Sequence, residues 1–450
     1  MTDLVLVLAY VSFLALGTMA PFACSLGYVW VDTFFPQFLS YGLLTTVPVS
    51  FVMGAAAFGS YLLLDRRNLP RPTLVHALYF VLAVWITLTN SWAVLPEAAA
   101  GKYDTAIKAL LFAAFTPFVF RSRVQIEAFL LIILFSTAAH IIPWGIKTAL
   151  SGGGYGKSLG LLDSMRAWVA ESSILSALCF AFIPLLLAMA KHNRLVPLNR
   201  YTRLGFYGLC VLYGIGAVGT YARTALVSLA VLAAGLWWRS KTKLIFPIVA
   251  AVLVAGLYSF TSDRWNERIG TVGELRTEGS AAVRFAVWRW TWDFALQNPL
   301  GGGFNVFYIN RIEIPNPEPG GLPTLDTGRA FHNIYFAALG EHGFPGLALY
   351  VSIQALTLLS LQKVRRRLRG HPEHAWCHDL AGALQITLLS FWAGANFVDV
   401  SFYSITWYFS ALGLCLIQYA LRAVPNAKRP GLAYDTPVAS PVRVPEPSQA

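Results

Sequence analysis

Arg329-Ala330-Phe331-His332-Asn333-Ile334-Tyr335-Phe336-Ala337-Ala338-Leu339-Gly340-Glu341-His342-Gly343-Phe344-Pro345-Gly346 marks the point where the long, mostly polar segment 261–330 gives way to an apolar helical run. A histidine stands on the threshold of that run. An imidazole at such a boundary is partly desolvated yet still reached by water, a setting in which it can act as a base near neutral pH. The same placement also suits a capping or interfacial histidine, so its neighbours have to decide between the two.

The chain of 450 residues is 56% hydrophobic and only 12% charged, with a mean hydropathy of +0.57. That balance is too apolar for a soluble protein of this length and predicts an all-α polytopic membrane protein. Apolar runs near the ~20 residues a bilayer requires fall at 3–20, 41–64, 74–90, 105–120, 124–149, 167–190, 204–221, 222–238, 244–260, 331–361, 379–396 and 402–421. They predict about twelve transmembrane helices. The aromatic-rich run 22–40, broken by Asp32 and Pro36, reads as an interfacial or re-entrant segment.

The formal charge of +12 does not point to nucleic acid. Twenty of the 34 lysines and arginines cluster in six short stretches between apolar runs, at 66–71, 121–123, 191–203, 239–243, 363–369 and 422–429. This is the pattern of cytoplasmic loops, so the charge reports topology. Placing those loops inside puts 91–104, 150–166, 261–330 and 397–401 on the outer face, which is periplasmic in a Gram-negative cell. The predicted organisation is therefore helices over 1–260 with the interfacial segment 22–40, a periplasmic loop domain over 261–330, C-terminal membrane helices over 331–424, and a disordered cytoplasmic tail over 425–450, rich in Pro, Ser, Val and Ala. The five cysteines lie in apolar runs or a basic loop and imply no disulfide framework.

Three strongly polar residues meet the membrane on the outer side: Arg223 opening a span, Arg284 on the tryptophan-rich stretch 281–296, and His332. Arginine forks two hydrogen bonds toward phosphate oxygens, and histidine can take a proton; together they suit group transfer from a phosphate leaving group. Ser280 caps a predicted interfacial helix on which Arg284, Trp288 and Trp292 stand one above another at four-residue spacing. Lys108, Lys147 and Arg166 would thicken a basic collar around a lipid diphosphate, although cations near helix ends also simply reach for headgroups. Glu341, nine residues after His332, falls on the opposite face of a straight helix and is expected to pair elsewhere. Glu171, inside its span, calls for a cationic partner, Arg166 or Arg223. Gly301-Gly302-Gly303 reads as a flexible turn ahead of a phosphate cradle. His371-Pro372-Glu373-His374-Ala375-Trp376-Cys377-His378 has ligand-like spacing, but it sits in a short basic loop without a second half-site. No metal and no cofactor are expected, because the outer side carries no Asp-x-Asp pair.

Tyr221-Ala222-Arg223-Thr224-Ala225, then Arg284 before a tryptophan-rich stretch ending Asn298-Pro299-Leu300-Gly301, then His332-Asn333 followed by Glu341-x-Gly343, resembles the O-antigen ligase and polymerase superfamily over roughly 205–350. The first third, with Pro21-Phe22, the aromatic run around Trp30 and Ser151-Gly152-Gly153-Gly154-Tyr155, resembles the O-glycosylation ligases of that group. The resemblance implies a glycosyltransferase-C class helical fold, an undecaprenyl-diphosphate-linked glycan donor, metal independence and inversion at the anomeric carbon. It carries the essential histidine onto His332 and the arginines onto Arg223 and Arg284, with Ala222 standing where a serine commonly precedes the arginine. Arg166, Lys147, Lys108, Trp288, Asn333 and Glu341 complete the expected substrate-binding set. The expected activity is an inner-membrane O-antigen ligase acting on lipid A–core amid membrane lipids. A polymerase and a protein O-glycosylation ligase differ from it only in acceptor, and a polysaccharide flippase would instead place charges near the midplane.

Overall fold

The computed structural model describes residues 2–151, 171–220, 222, 224–240, 243, 279–314 and 323–424. Hydrocarbon offers no hydrogen-bond partners, so apolar runs close their own backbone bonds as helices. The first third runs α1 (Thr2–Met19), α2 (Phe22–Phe34), α3 (Pro36–Leu39), α4 (Leu43–Thr46), α5 (Val49–Leu64), α6 (Leu74–Ser91), α7 (Pro96–Val119) and α8 (Arg123–Leu150). The middle holds α9 (Ser172–His192), α10 (Arg200–Gly219), α11 (Thr224–Arg239) and α12 (Gly279–Gln297). It is followed by an antiparallel hairpin of β1 (Arg311–Ile314) and β2 (Thr324–Thr327) with Arg311 opposite Thr327. Then come α13 (Ile334–Leu368), α14 (Ala375–Ala395) and α15 (Ser404–Ala423).

Among the described residues, seven helices are long and apolar enough to cross a membrane: α1, α6, α8, α9, α10, α13 and α15. The protein is an all-α polytopic membrane protein. The expected span 244–260, the segment 261–278 and the tail 425–450 lie outside the described residues. Elsewhere the structure refines the predicted boundaries. The run 22–40 is two helices broken at Phe35, whose φ is 55°. At 13 residues α2 is shorter than a bilayer crossing, and it packs on α1, α5 and α8. The run 41–64 is interrupted at Val47-Pro48, and α7 starts at Pro96, where a first-turn residue needs no N–H. α12 begins at Gly279, which takes Ser280 into its first turn instead of leaving it as the cap.

Several helix starts carry their own caps. Ser122 Oγ accepts from the Gln125 amide while the Gln125 side chain accepts from the Ser122 amide, and Asn199 with Thr202 repeats the device on α10. These caps help gather the basic loops at one end of the bundle. Arg67 donates to Gln125 at 3.1 Å, the Arg194 amide to Glu127 at 2.8 Å, and Arg422 to the Arg121 carbonyl at 2.7 Å. The segments expected on the outer face meet at the other end. The Val94 amide donates to the Gly302 carbonyl at 2.8 Å, Asn305 Nδ2 to Ala98 at 2.7 Å, and Asn333 Nδ2 to Asn396 at 3.1 Å.

The glycine run 301–303 is neither a loose turn nor a phosphate cradle. α13 kinks at Gly343, with φ 66°, and the Phe344 amide turns away to the Pro299 carbonyl at 3.0 Å. The Gly340 carbonyl thereby loses its partner, and the Glu341 carbonyl has none because Pro345 carries no N–H. The amides of Gly302 and Gly303 take up these two carbonyls at 3.0 and 2.9 Å. The two backbones cross so closely that a Cβ on Gly343 would stand 2.1 Å from the Pro299 oxygen. Gly343→Ala therefore combines a backbone clash with an unfavourable φ and is expected to cost about 3 kcal/mol or more. In detergent it should lower the melting midpoint sharply or abolish accumulation, whereas Gly59→Ala, whose Cβ meets nothing within 4 Å, should be neutral. A Gly343→Ala protein that melts like the parent would show that the crossing does not hold the fold.

Candidate functional site

The end opposite the basic loops, called the outer end after its expected side, is built around the start of α13. Trp288 on α12 donates from Nε1 to the Phe331 carbonyl at 2.9 Å and stacks on Phe336 at 5.4 Å. Phe331 is buried and meets Phe307 edge to face. On the other side of His332, Asn333 caps α13: its Oδ1 accepts from the Tyr335 and Phe336 amides at 2.8 and 3.1 Å. His332, clamped between these two anchors, is half-buried and has a φ of 47°, a left-handed backbone that a side-chain-bearing residue seldom adopts. Such strain persists only where the surroundings over-determine it, and it gathers at functional sites.

The charges around the imidazole come from separate parts of the chain. Burial, and then the Arg284 guanidinium, hold the His332 pKa below its ordinary value; Asp399 pulls it up and Arg329 pushes it further down. Arg284 also acts on Glu171, which stands just before α9. The Glu171 side chain reaches solvent, while the protein crowded around it and the Asp399 charge raise its pKa and Arg284 opposes the rise. Glu171 thus lies outside its span, and its cation among the described residues is Arg284.

Behind this first group lies an ion bridge. Lys102 on α7 donates to Glu341 Oε1 at 2.8 Å and to Asp399 Oδ2 at 3.1 Å. Glu341 is completely buried, and its Oε1 accepts a second bond from the Asn305 amide at 2.9 Å. Ser401 Oγ donates to Asp399 Oδ1 at 3.3 Å. One cation is thus shared between two carboxyl groups. The Asp399 charge also acts on His332.

The structure therefore brings together four of the expected residues, Arg284, Trp288, His332 and Asn333. Glu341 shapes the site from behind; fully enclosed, it does not line a surface that substrate could touch. Lys108 pairs with Asp104 at 2.6 Å on the exposed side of α7, and Lys147 is exposed in the last turn of α8. Neither contacts the His332 group. Arg223 and Arg166 lie outside the described residues. His342 is sealed in the core, with Nδ1 2.7 Å from Thr89 Oγ1 and its ring between Phe304 and Phe402. The loop histidines have partners of other kinds: His378 meets Asp379 at 2.9 Å and His374 meets the Tyr419 hydroxyl at 3.1 Å.

Lys102 and Asp399 were missed by sequence reasoning. A signal was there, since each is a charged residue in a short segment, 91–104 and 397–401, expected on the same outer face as His332.

Residues 1–194 match the model of a family described as a family of unknown function (DUF5935). The chain has no match among curated proteins. Residues 208–351 match the family model described as O-antigen ligase, a stretch that contains Arg284, Trp288, His332, Asn333 and Glu341 and the kinked start of α13. Over these residues the chain carries a domain of the O-antigen ligase family.

Proposed function

We propose that the protein is an O-antigen ligase: a metal-independent, inverting glycosyltransferase that moves a glycan from undecaprenyl diphosphate to lipid A–core on the periplasmic face of the inner membrane. The observation that carries this reading is the meeting of Arg284 and a strained, half-buried His332 at the end of the bundle opposite the basic loops, within the matched domain. The acceptor hydroxyl attacks the anomeric carbon of the first sugar while His332 takes its proton. The bond from that carbon to the diphosphate oxygen breaks, and the departing charge is held by Arg284 together with Arg223. Asp399 steadies the imidazolium that forms, and Lys102 with Glu341 positions Asp399. A flippase is disfavoured because these charges collect at one end of the bundle and not at its middle. A polymerase would use the same donor chemistry on a different acceptor. Cells lacking the protein should accumulate lipid-linked glycan while their lipopolysaccharide loses it; lipopolysaccharide that keeps a single repeat unit would favour the polymerase.

Sidedness can be read directly. A cysteine placed at Thr324 should react with an impermeant thiol reagent from outside, and one placed at Ser240 should react only after permeabilisation. Equal labelling of both from outside would overturn the orientation.

General-base help contributes roughly 10²–10⁴-fold, so His332→Ala should lose about that much turnover while donor binding, measured by photo-crosslinking, persists through the arginines. Near-normal transfer by this variant would remove His332 from the chemistry.

The pH dependence follows from the direction of the His332 shift. With its pKa below 6.5, the neutral base survives into mildly acidic solution, so the acid limb of kcat/KM should lie below that value. Arg284→Gln removes a charge that depresses the pKa and should move the limb of the residual activity upward. A limb that stays in place, or moves down, would contradict the assignment.

A further inference from the structure

At the basic end of the bundle, the last turns of α11 and α13 bring two arginines to one neutral oxygen. Arg239 Nη2 donates to Gln385 Oε1 at 2.7 Å, and its Nη1 donates to the Gly382 carbonyl. Arg365 Nη1 reaches the same Gln385 oxygen at 3.4 Å and Gln362 Oε1 at 3.4 Å. The Gln385 amide nitrogen is already engaged with Leu358 and Gln362, both at 3.3 Å. Arg365 Nε is enclosed and, among the described residues, donates to nothing.

No carboxylate contacts either guanidinium among the described residues. The acid whose charge reaches both is Asp379, and its oxygens are held by Lys191 at 2.6 Å, His192 at 2.7 Å and His378 at 2.9 Å. The carbonyl-rich ends of α11 and α13 favour cations and explain why arginines are tolerated here. They do not explain an enclosed donor left idle, or two like charges sharing one amide oxygen. Gly382 lets both heads close on the backbone at one point: a Cβ there would stand 2.6 Å from Arg239 Nη1 and 3.2 Å from Arg365 Nε.

We propose that Arg239 and Arg365 form an anion site for a phosphate group at the basic end of the bundle, separate from the His332 group at the opposite end. Two planar forks presented to one point match the oxygens of a phosphate monoester or diester. The phosphate comes either from the headgroup of an anionic lipid in the leaflet at that end or from free inorganic phosphate.

The test uses full-length protein in neutral detergent and reads the melting midpoint, since a ligand that binds the folded state alone raises it. Inorganic phosphate at matched ionic strength against chloride forms one arm. Micelles doped with phosphatidylglycerol against the same micelles doped with diacylglycerol form the other. The midpoint should rise by about 2 °C or more in at least one arm; a rise with phosphatidylglycerol alone identifies the lipid headgroup, and a rise in both identifies the phosphate group itself. Arg239→Gln with Arg365→Gln should remove the response. Gln385→Glu, which keeps both arginines and supplies the missing negative charge from within, should raise the midpoint in chloride and no longer respond. A parent protein indifferent to both arms, or a Gln385→Glu variant that responds as the parent does, overturns the site.

Discussion

The arrangement at the outer end depends on one ammonium group. Glu341 is completely enclosed, and an isolated buried carboxylate carries a desolvation penalty of several kcal/mol. Lys102 at 2.8 Å and the Asn305 amide at 2.9 Å offset it. The same Lys102 nitrogen reaches Asp399 at 3.1 Å, so one side chain ties α7, α13 and the approach to α15 together. The connection after α12 joins them through Asn305. The Asp399 charge also acts on His332, in the sense opposite to Arg284. Fold and site electrostatics thus meet in one contact.

That contact joins residues far apart in the chain, which is why it was hidden in the sequence. His332, Asn333, Arg284 and Trp288 could be read because their signals are local: a polar-to-apolar threshold, a capping residue, a four-residue spacing. The apolar runs were legible for the same reason. A single lysine in 91–104 or a single aspartate in 397–401 has no periodicity, and only the shared side of the membrane links them. The glycine run failed differently. Its role is set by Pro345, which leaves a carbonyl unpaired some forty residues further on, and no reading of 301–303 alone contains that fact. The break at Phe35 likewise answers to the packing of α2 against α1, α5 and α8, which the aromatic pattern does not encode.

The two ends of the bundle differ in how they treat charge. At the basic end, guanidinium groups dock on backbone carbonyls and neutral amides, as with Arg422 on Arg121 and Arg239 on Gln385, beside local ion pairs such as Arg123 with Glu127. At the outer end, charges of both signs are interleaved from five segments and held at short range. The first pattern marks orientation in a bilayer. The second is preorganisation, in which dipoles and charges are fixed before a reacting group arrives.

Asn333 as the cap of α13 has a consequence beyond fixing the neighbouring histidine. α7, α9, α13 and α15 all begin at the outer end, as the contacts of Lys102, Glu171, Asn333 and Asp399 show. Each helix start carries roughly half a positive unit from its aligned peptide dipoles. The last turns of α6 and α14 lie at the same end and each brings roughly half a negative unit. Starts and ends thus offset one another, so the side-chain charges of Arg284, Lys102 and Asp399 set the field around His332.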